Sequence, residues 1–311
     1  MRIVFMGTPD FAVPSLEILY NAGYDIVGVI TAPDRLGGRG RKTVIESPIK
    51  KFALNKELNI LQPPNLKNKE FVATLKELNA DIQIVVAFRM LPEIVWNMPA
   101  NGTYNLHGSL LPKYRGAAPI NWSVIQGDKI TGVTSFKLKH AIDTGSVLFQ
   151  KEIPIYPSDN ATAVHDRMMF VAADVVYETV KAVDEKKANL KEQDDSLASH
   201  APKLNKDNTK LDFTLDCKTL HNKVRGLSYY PSAWFELAGK QLKVYESEIE
   251  LLEHDYKAGT VISDNKSYLK AAGSDGYLIL KDVQLTGKKR MGIKDFLNGY
   301  DTSQINEVID C

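Results

Sequence analysis

The first two-thirds of the chain alternates short apolar runs with amphipathic stretches, and the two periods predict strands and helices in turn. RIVFMG (residues 2–7) is an apolar run ending on a glycine. AVPSLEILYNAG (12–23) follows with helical spacing and closes on Gly23 as a helix C-cap. YDIVGVIT (24–31) predicts a second strand. SPIKKFALNKEL (47–58) then opens with Ser47 as N-cap and Pro48 at the first helical position. NILQP (59–63) predicts a short strand, NKEFVATLKELNA (68–80) a helix, and DIQIVVAF (81–88) a strand apolar on both faces, as in a parallel sheet covered by helices. GTYNLH (102–107) and APINWSVIQG (118–127) add one more strand and helix. GVTSFKLK (132–139) and SVLFQKEIPI (146–155) read as a closing hairpin-type pair before a long amphipathic helix over 161–187. The expected fold is α/β, an open, mostly parallel Rossmann-like sheet with helices on both faces.

The texture changes near Ala201. PKLNKDNTKLDF (202–213) is polar and proline-interrupted, and beyond it lie shorter strand candidates separated by turn signals, with one helix near CKTLHNKVRGL (217–227). That spacing predicts a small C-terminal β-barrel or sandwich. The expected division is a first domain over 1–200, a linker over 201–208 and a second domain over 209–311.

Composition narrows the class. The 311 residues carry 39 basic and 38 acidic side chains, a net charge of +1, so any contact with nucleic acid must come from local patches. Two distant cysteines, Cys217 and Cys311, provide neither a disulfide framework nor metal-ligand spacing and suit a reducing compartment. The short apolar N-terminus reads as a strand rather than a signal peptide. No run reaches the ~20 apolar residues of a membrane span. A cytoplasmic chain without metal is expected.

The segment YNLHGSLLPKYRGAAPINW (104–122) places Asn105 and His107 on one face of a strand, at the end where open α/β sheets bind ligands. An asparagine amide can donate to an oxyanion without carrying charge, and a neighbouring histidine can donate or shuttle a proton. The same pair can also simply satisfy backbone groups at the strand end. In HAIDTGSVLFQ (140–150), Asp143 can orient the imidazole or cap its own turn before Thr-Gly. His140, among lysines, reads as solvent-facing. The loop TAPDRLGGRGRK (31–42) holds Arg35, Arg39, Arg41 and Lys42 among glycines, a mobile cationic loop suited to phosphates or an ordinary solvated one. Lys113 and Arg115 add charge to the same edge. GTPDFA (7–12) lacks the G-x-G-x-x-G fingerprint, and no Walker lysine motif or zinc-spaced histidine pair is present.

Taken in order, MRIVFMGTPDFAVPSL, PDRLGGRGRK, VVAFRMLP, NLHGSLLPKYRGAAPINW, TGVTSFKLKHAIDTG and GKKRM resemble the methionyl-tRNA formyltransferases over nearly the whole length. The Asn-x-His and Ser-Leu-Leu-Pro elements are shared by formyltetrahydrofolate-using enzymes more widely. The start segment and the basic glycine loop are more specific. The resemblance implies transfer of the formyl group of 10-formyltetrahydrofolate to the amine of methionine on initiator tRNA. It implies Asn105, His107 and Asp143 as the catalytic group, with Asn105 and a protonated His107 stabilising the oxyanion and Asp143 holding His107. It also implies Ser109, Leu110, Leu111 and Pro112 as the folate-binding segment, and Phe88, Arg89, Met90 and Leu91 beside the pterin. AFRMLP departs here from the smaller or apolar residues of many relatives.

For tRNA the resemblance implies Arg39 in a contacting loop with Arg35, Arg41 and Lys42, and an OB-like second domain. There Lys203, Lys206, Lys288, Lys289 and Arg290 are the expected contacts, with Lys210, Lys223 and Arg225 adding charge. The sequence indicates no obligate protein partner and no membrane. Two rival readings are another formyltetrahydrofolate enzyme, such as a hydrolase or a transferase acting on a sugar nucleotide or purine precursor, and an RNA-binding module without catalysis.

Overall fold

The computed structural model describes residues 1–37, 40 and 43–300. One sheet contains β1 (Arg2–Gly7), β2 (Asp25–Ile30), β3 (Ile60–Leu61), β4 (Ile82–Val86), β5 (Thr103–His107), β6 (Ile130–Lys137) and β7 (Val147–Pro154). Its spatial order is β7-β6-β5-β4-β1-β2-β3. Strands β3, β2, β1, β4 and β5 run parallel, β6 is antiparallel to β5, and β7 is antiparallel to β6. The mostly parallel Rossmann-like sheet and its closing antiparallel pair are as expected. Strand order reverses between β1 and β4, and ligands of such sheets sit outside the carboxyl ends of the strands at that switch.

Burial explains why these segments are strands. Every residue from Ile3 to Met6 is fully buried. Val4 and Met6 join a cluster with Phe71 and Leu75, so successive side chains, Ile3 and Phe5 among them, need cover on the opposite face too. The turn after β1 is tight, because a Cβ on Gly7 would lie 2.8 Å from that of Ala12. Helix α1 (Val13–Asn21) buries Leu16 and Leu19 and ends before Gly23, whose φ of +79° favours glycine. Helix α2 (Pro48–Asn55) begins as expected, with Ser47 Oγ accepting from the Lys50 amide at 3.0 Å. Asn68 caps α3 (Lys69–Glu77) in the same way.

The chain forms two compact units, each assembled from three separate segments of sequence. Met1–Gly116, Ile130–Pro154 and His165–His200 make the first, and Ala117–Lys129, Ile155–Val164 and Ala201 onward make the second. Helices α4 (Pro119–Ile125), α5 (Ala161–Asp184) and α6 (Cys217–Leu227) follow in chain order. Within the second unit, α4 approaches α6 at Gly226, where a Cβ would lie 2.5 Å from Ile125 Cγ1, and Asn121 Nδ2 donates to the Gly226 carbonyl at 2.8 Å.

The second unit's sheet contains β8 (Ala233–Leu237), β9 (Lys240–Leu251), β10 (Val261–Ser263), β11 (Leu269–Ala272) and β12 (Gly276–Leu285), all antiparallel in the order β8-β9-β12-β11-β10. Register shifts beside Glu246 bend the long strands, as bulges do. The expected small barrel is a curled antiparallel half-barrel. Leu220, Val224 and Leu227 of α6 fill its core beside Phe213 and Phe235, whose rings meet edge-on at 5.3 Å. Residues 205–208 form a turn built on asparagine: Asn205 Oδ1 accepts from the amides of Asp207 and Asn208, and Asn208 Nδ2 donates to Lys203 O.

Candidate active site

Residues two apart on a strand share a face, so Asn105 and His107 project together at the end of β5 while Tyr104 and Leu106 are buried on the other side. Asn105 is partly exposed, and among the described residues its amide has no hydrogen-bond partner. His107 is only 6% exposed. Its Nε2–H donates to the Tyr114 carbonyl at 2.8 Å, and Nδ1 faces Asp143 Oδ2 at 3.8 Å. The histidine therefore does both things its position allowed: one nitrogen satisfies a backbone carbonyl, and the other faces a carboxylate across a gap too wide for a direct hydrogen bond. With Nε2 spent inside the loop, the ring's free side is Nδ1.

Asp143 sits at φ +54°, a conformation that aspartate tolerates better than most residues. Its Oδ2 accepts from the Gly116 amide at 2.9 Å. Two residues on, a Cβ at Gly145 would lie 1.8 Å from the Lys137 carbonyl, so the turn packs backbone on backbone. Gln193 Nε2 donates to the carbonyls of Asp143 and Gly145, each at 2.8 Å. Its Oε1 accepts from Arg115, whose guanidinium also pairs with Asp195 at 2.6 Å. Arg115 is 9% exposed. It braces the Asp143 turn rather than adding free charge to the edge.

The segment after β5 is held by Thr134 of β6. Its Oγ1 accepts from the Leu111 amide and from Gln150 Nε2, both at 3.0 Å, and donates to the Ser109 carbonyl at 2.6 Å. Gln150 also donates to Leu111 O. Ser109 is fully buried and donates to Lys113 O. Leu111 and Leu91 are buried, Leu110 and Pro112 half-buried. Beyond β4, Ala87 takes φ +48°, Phe88 is half-buried and Met90 is 73% exposed. Arg89 lies over the Phe88 ring at 5.6 Å and donates to the carbonyls of Pro63 and Pro64.

The cations expected to meet tRNA differ in how each is engaged. Arg35 is exposed on a short antiparallel pair, Arg35–Gly37 with Thr43–Ile45, while Arg39, Arg41 and Lys42 lie outside the described residues. Lys203, Lys288 and Lys289 are exposed. Lys206 lies over Trp234 at 5.4 Å, and Lys210 over the same ring at 5.8 Å. Arg290 grips Asp282 through Nε at 2.8 Å and a second nitrogen at 2.7 Å, with its guanidinium against Tyr229 and Tyr245 at 4.3 and 4.5 Å. Arg225 donates to Asn222 and to the Asp159 carbonyl. Burial lowers the pKa of Lys223 and of Arg225. His140 is exposed, 3.8 Å from Glu93.

Sequence reasoning did not single out Thr134, Gln150 or Gln193. The strand alternation of GVTSFKLK offered a signal for Thr134, whereas Gln193, within a polar run, offered none. Among the described residues no helix is long and apolar enough to cross a membrane, and no cluster of three His, Cys, Asp or Glu side chains is placed to hold a metal.

The model for the formyl transferase family matches residues 1–180, and that for the formyl transferase C-terminal domain matches 203–301. The chain is 49% identical over 310 residues to the methionyl-tRNA formyltransferase of Parabacteroides distasonis, covering 96% of each chain. Among solved structures it is similar to WlaRD, a sugar 3N-formyl transferase, with a TM-score of 0.69 at 20% identity over 93% of this chain and 99% of that one. It is also similar to a methionyl-tRNA formyltransferase from Clostridium thermocellum, with a TM-score of 0.54 at 15% identity over 88% and 99%. Both structural likenesses concern the fold alone.

Proposed function

The chain belongs to the methionyl-tRNA formyltransferase family, and from that premise we propose that it moves the formyl group of 10-formyltetrahydrofolate to the α-amine of methionyl-initiator tRNA through Asn105, His107 and Asp143. An α-amine titrates near ~8 in model peptides, and the adjacent ester of an aminoacyl-tRNA lowers it further, so much of the nucleophile is neutral at ordinary pH and needs no serine or cysteine acyl carrier. Its nitrogen attacks the formyl carbon, a C–N bond forms, and negative charge gathers on the formyl oxygen. Asn105, with an amide that has no partner among the described residues, supplies the donor at that oxygen; such a donor is worth ~3–4 kcal/mol. As the bond to the folate nitrogen breaks, the amine loses one proton and the leaving nitrogen gains one. His107 Nδ1 carries the proton in transit, since that nitrogen accepts when the ring is neutral and the Asp143 carboxylate facing it at 3.8 Å favours the charged ring. Because Nε2 is committed to Tyr114 O, the role of His107 shifts from oxyanion donor toward proton carrier.

For the folate, the half-buried or exposed apolar groups Phe88, Met90, Leu110 and Pro112 supply contact, while buried Ser109, Leu111 and Leu91 hold the shape of the segments. Arg35, Lys203, Lys288 and Lys289 are the exposed cations left for tRNA phosphates, with Arg39, Arg41 and Lys42 assigned by resemblance alone. The cytoplasm is the compartment that fits an enzyme acting on initiator tRNA.

What supports this reading most is the Asn105 amide, without a partner among the described residues, beside an imidazole–carboxylate pair at the carboxyl edge of the sheet. The test is formyl transfer to initiator methionyl-tRNA, elongator methionyl-tRNA and amino sugar nucleotides, with salt varied. Transfer to the initiator species, weakening steeply with salt, is expected. Preferential transfer to the amino sugar would overturn the substrate assignment.

A further inference from the structure

The chain leaves the sheet after β2 and enters α2 at Ser47, and between these points stands the Arg35–Gly37 and Thr43–Ile45 pair. Asp34 immediately precedes the first of these strands and Glu46 immediately follows the second. Both carboxylates converge on one ammonium, that of Lys50 in the first turn of α2. Lys50 Nζ meets Glu46 Oε1 at 2.9 Å and also donates to Asp34 Oδ2. Gln62 Nε2 donates to Asp34 Oδ1 at 2.9 Å and to Ala32 O at 2.8 Å, and the hydroxyls of Thr31 and Ser47 meet at 2.7 Å. The two stems are thus joined at their base, while Leu36, Val44 and Ile45 above them are 62, 56 and 42% exposed.

A lone two-stranded hairpin is marginal in water, so its direction has to come from where it is rooted. We infer that Lys50 is a positioning residue for tRNA: by drawing Asp34 and Glu46 together it holds the hairpin in the attitude that presents Arg35 to the nucleic acid. This rests on the tRNA substrate proposed above. Lys50 is a poor phosphate contact itself, because one ammonium between two carboxylates leaves the cluster with a net negative charge. Its side chain is also only 15% exposed. What it contributes is therefore orientation, at a site in contact with neither Asn105, His107 nor Asp143.

The experiment compares Lys50→Met and Lys50→Arg with the unaltered full chain, using hydrogen exchange of the hairpin amides and steady-state formylation. Lys50→Met is expected to speed exchange at residues 35–37 and 43–45 by about tenfold. It should raise KM for initiator methionyl-tRNA by about fivefold, with kcat and the KM for 10-formyltetrahydrofolate within about twofold of the unaltered enzyme. Lys50→Arg, which can still reach both carboxylates, should restore most of both changes. Should Lys50→Met fold poorly, the pair Asp34→Asn and Glu46→Gln removes the same clasp from the other side. Unchanged exchange would overturn the clasp. Faster exchange with an unchanged tRNA KM would overturn the positioning role. Absence of tRNA formylation by the unaltered chain would instead strike the substrate assignment.

Discussion

The end of β5 and the cation-bearing surface of the second unit were both read from short motifs, yet they differ in how residue identity becomes arrangement. At β5, the strand period alone puts Asn105 and His107 on one face, and the parallel sheet places that face at its carboxyl edge. On the second unit, lysines and arginines near one another in sequence are engaged one by one. Arg290 is committed to Asp282 and two tyrosine rings, Arg225 to Asn222 and a carbonyl, and Lys206 and Lys210 to Trp234. Backbone periodicity turns spacing into direction, whereas a long flexible cation goes wherever a carboxylate or ring receives it.

The largest effects belong to the first region. Asp143→Asn keeps an oxygen for the Gly116 amide and tolerates the left-handed backbone, so the fold should persist while the carboxylate facing Nδ1 is lost. We expect single-turnover transfer to fall by about 10²-fold, and His107→Ala to fall by 10²–10⁴-fold. Equal rates in either variant and the unaltered enzyme would separate the imidazole–carboxylate pair from the chemistry.

Next comes the support of that region. Thr134→Val leaves the buried Leu111 amide without its acceptor, at a cost of about 1–3 kcal/mol in urea unfolding. The KM for 10-formyltetrahydrofolate should rise with it, since the 109–112 segment loses its anchor. Stability unchanged by the valine would show that the hub is dispensable.

The second region separates more finely. Lys289→Ala should lower the salt slope of tRNA binding by about one with little effect on unfolding. Arg290→Ala should do the reverse, losing the ring contacts and ion pair that stabilise the half-barrel by about 1 kcal/mol. If the two variants behave alike, the distinction between free and engaged cations fails.

The smallest effect is a pH dependence. Burial lowers the pKa of His221, with Arg225 adding to the shift, while its Nδ1 meets Ser247 Oγ at 3.0 Å. The unfolded chain takes up the proton near ~6.5, the folded chain only at lower pH. The stabilisation is thus present above that ordinary value and declines as pH falls toward the folded one. The stability of the full chain against unfolding should weaken between pH 7 and 5, and His221→Gln should flatten part of that decline. An identical profile in the variant would assign the decline to other groups.

Much of the fold was legible because apolar periodicity and caps act locally. Ser47 and Pro48 announce α2, and IQIVV announces a strand buried on both faces. Less legible were features set by partners distant in the chain. Gln193 supports the Asp143 turn from fifty residues away, and Arg115 looked like surface charge until Asp195 and Gln193 enclosed it. Helix α4 lies within the first 200 residues yet packs with the second core, because Gly226 permits close approach there. The committed Nε2 of His107 was equally invisible, since it depends on the path of the loop at Tyr114.

The most direct measurement is single-turnover formyl transfer by Asn105→Ala and Asn105→Asp enzymes, with 10-formyltetrahydrofolate and initiator methionyl-tRNA both saturating. A neutral donor at the developing oxyanion predicts a fall of about 10²–10³-fold for alanine and a larger one for aspartate, with both substrates bound as before. Transfer by both variants at nearly the unaltered rate would contradict it.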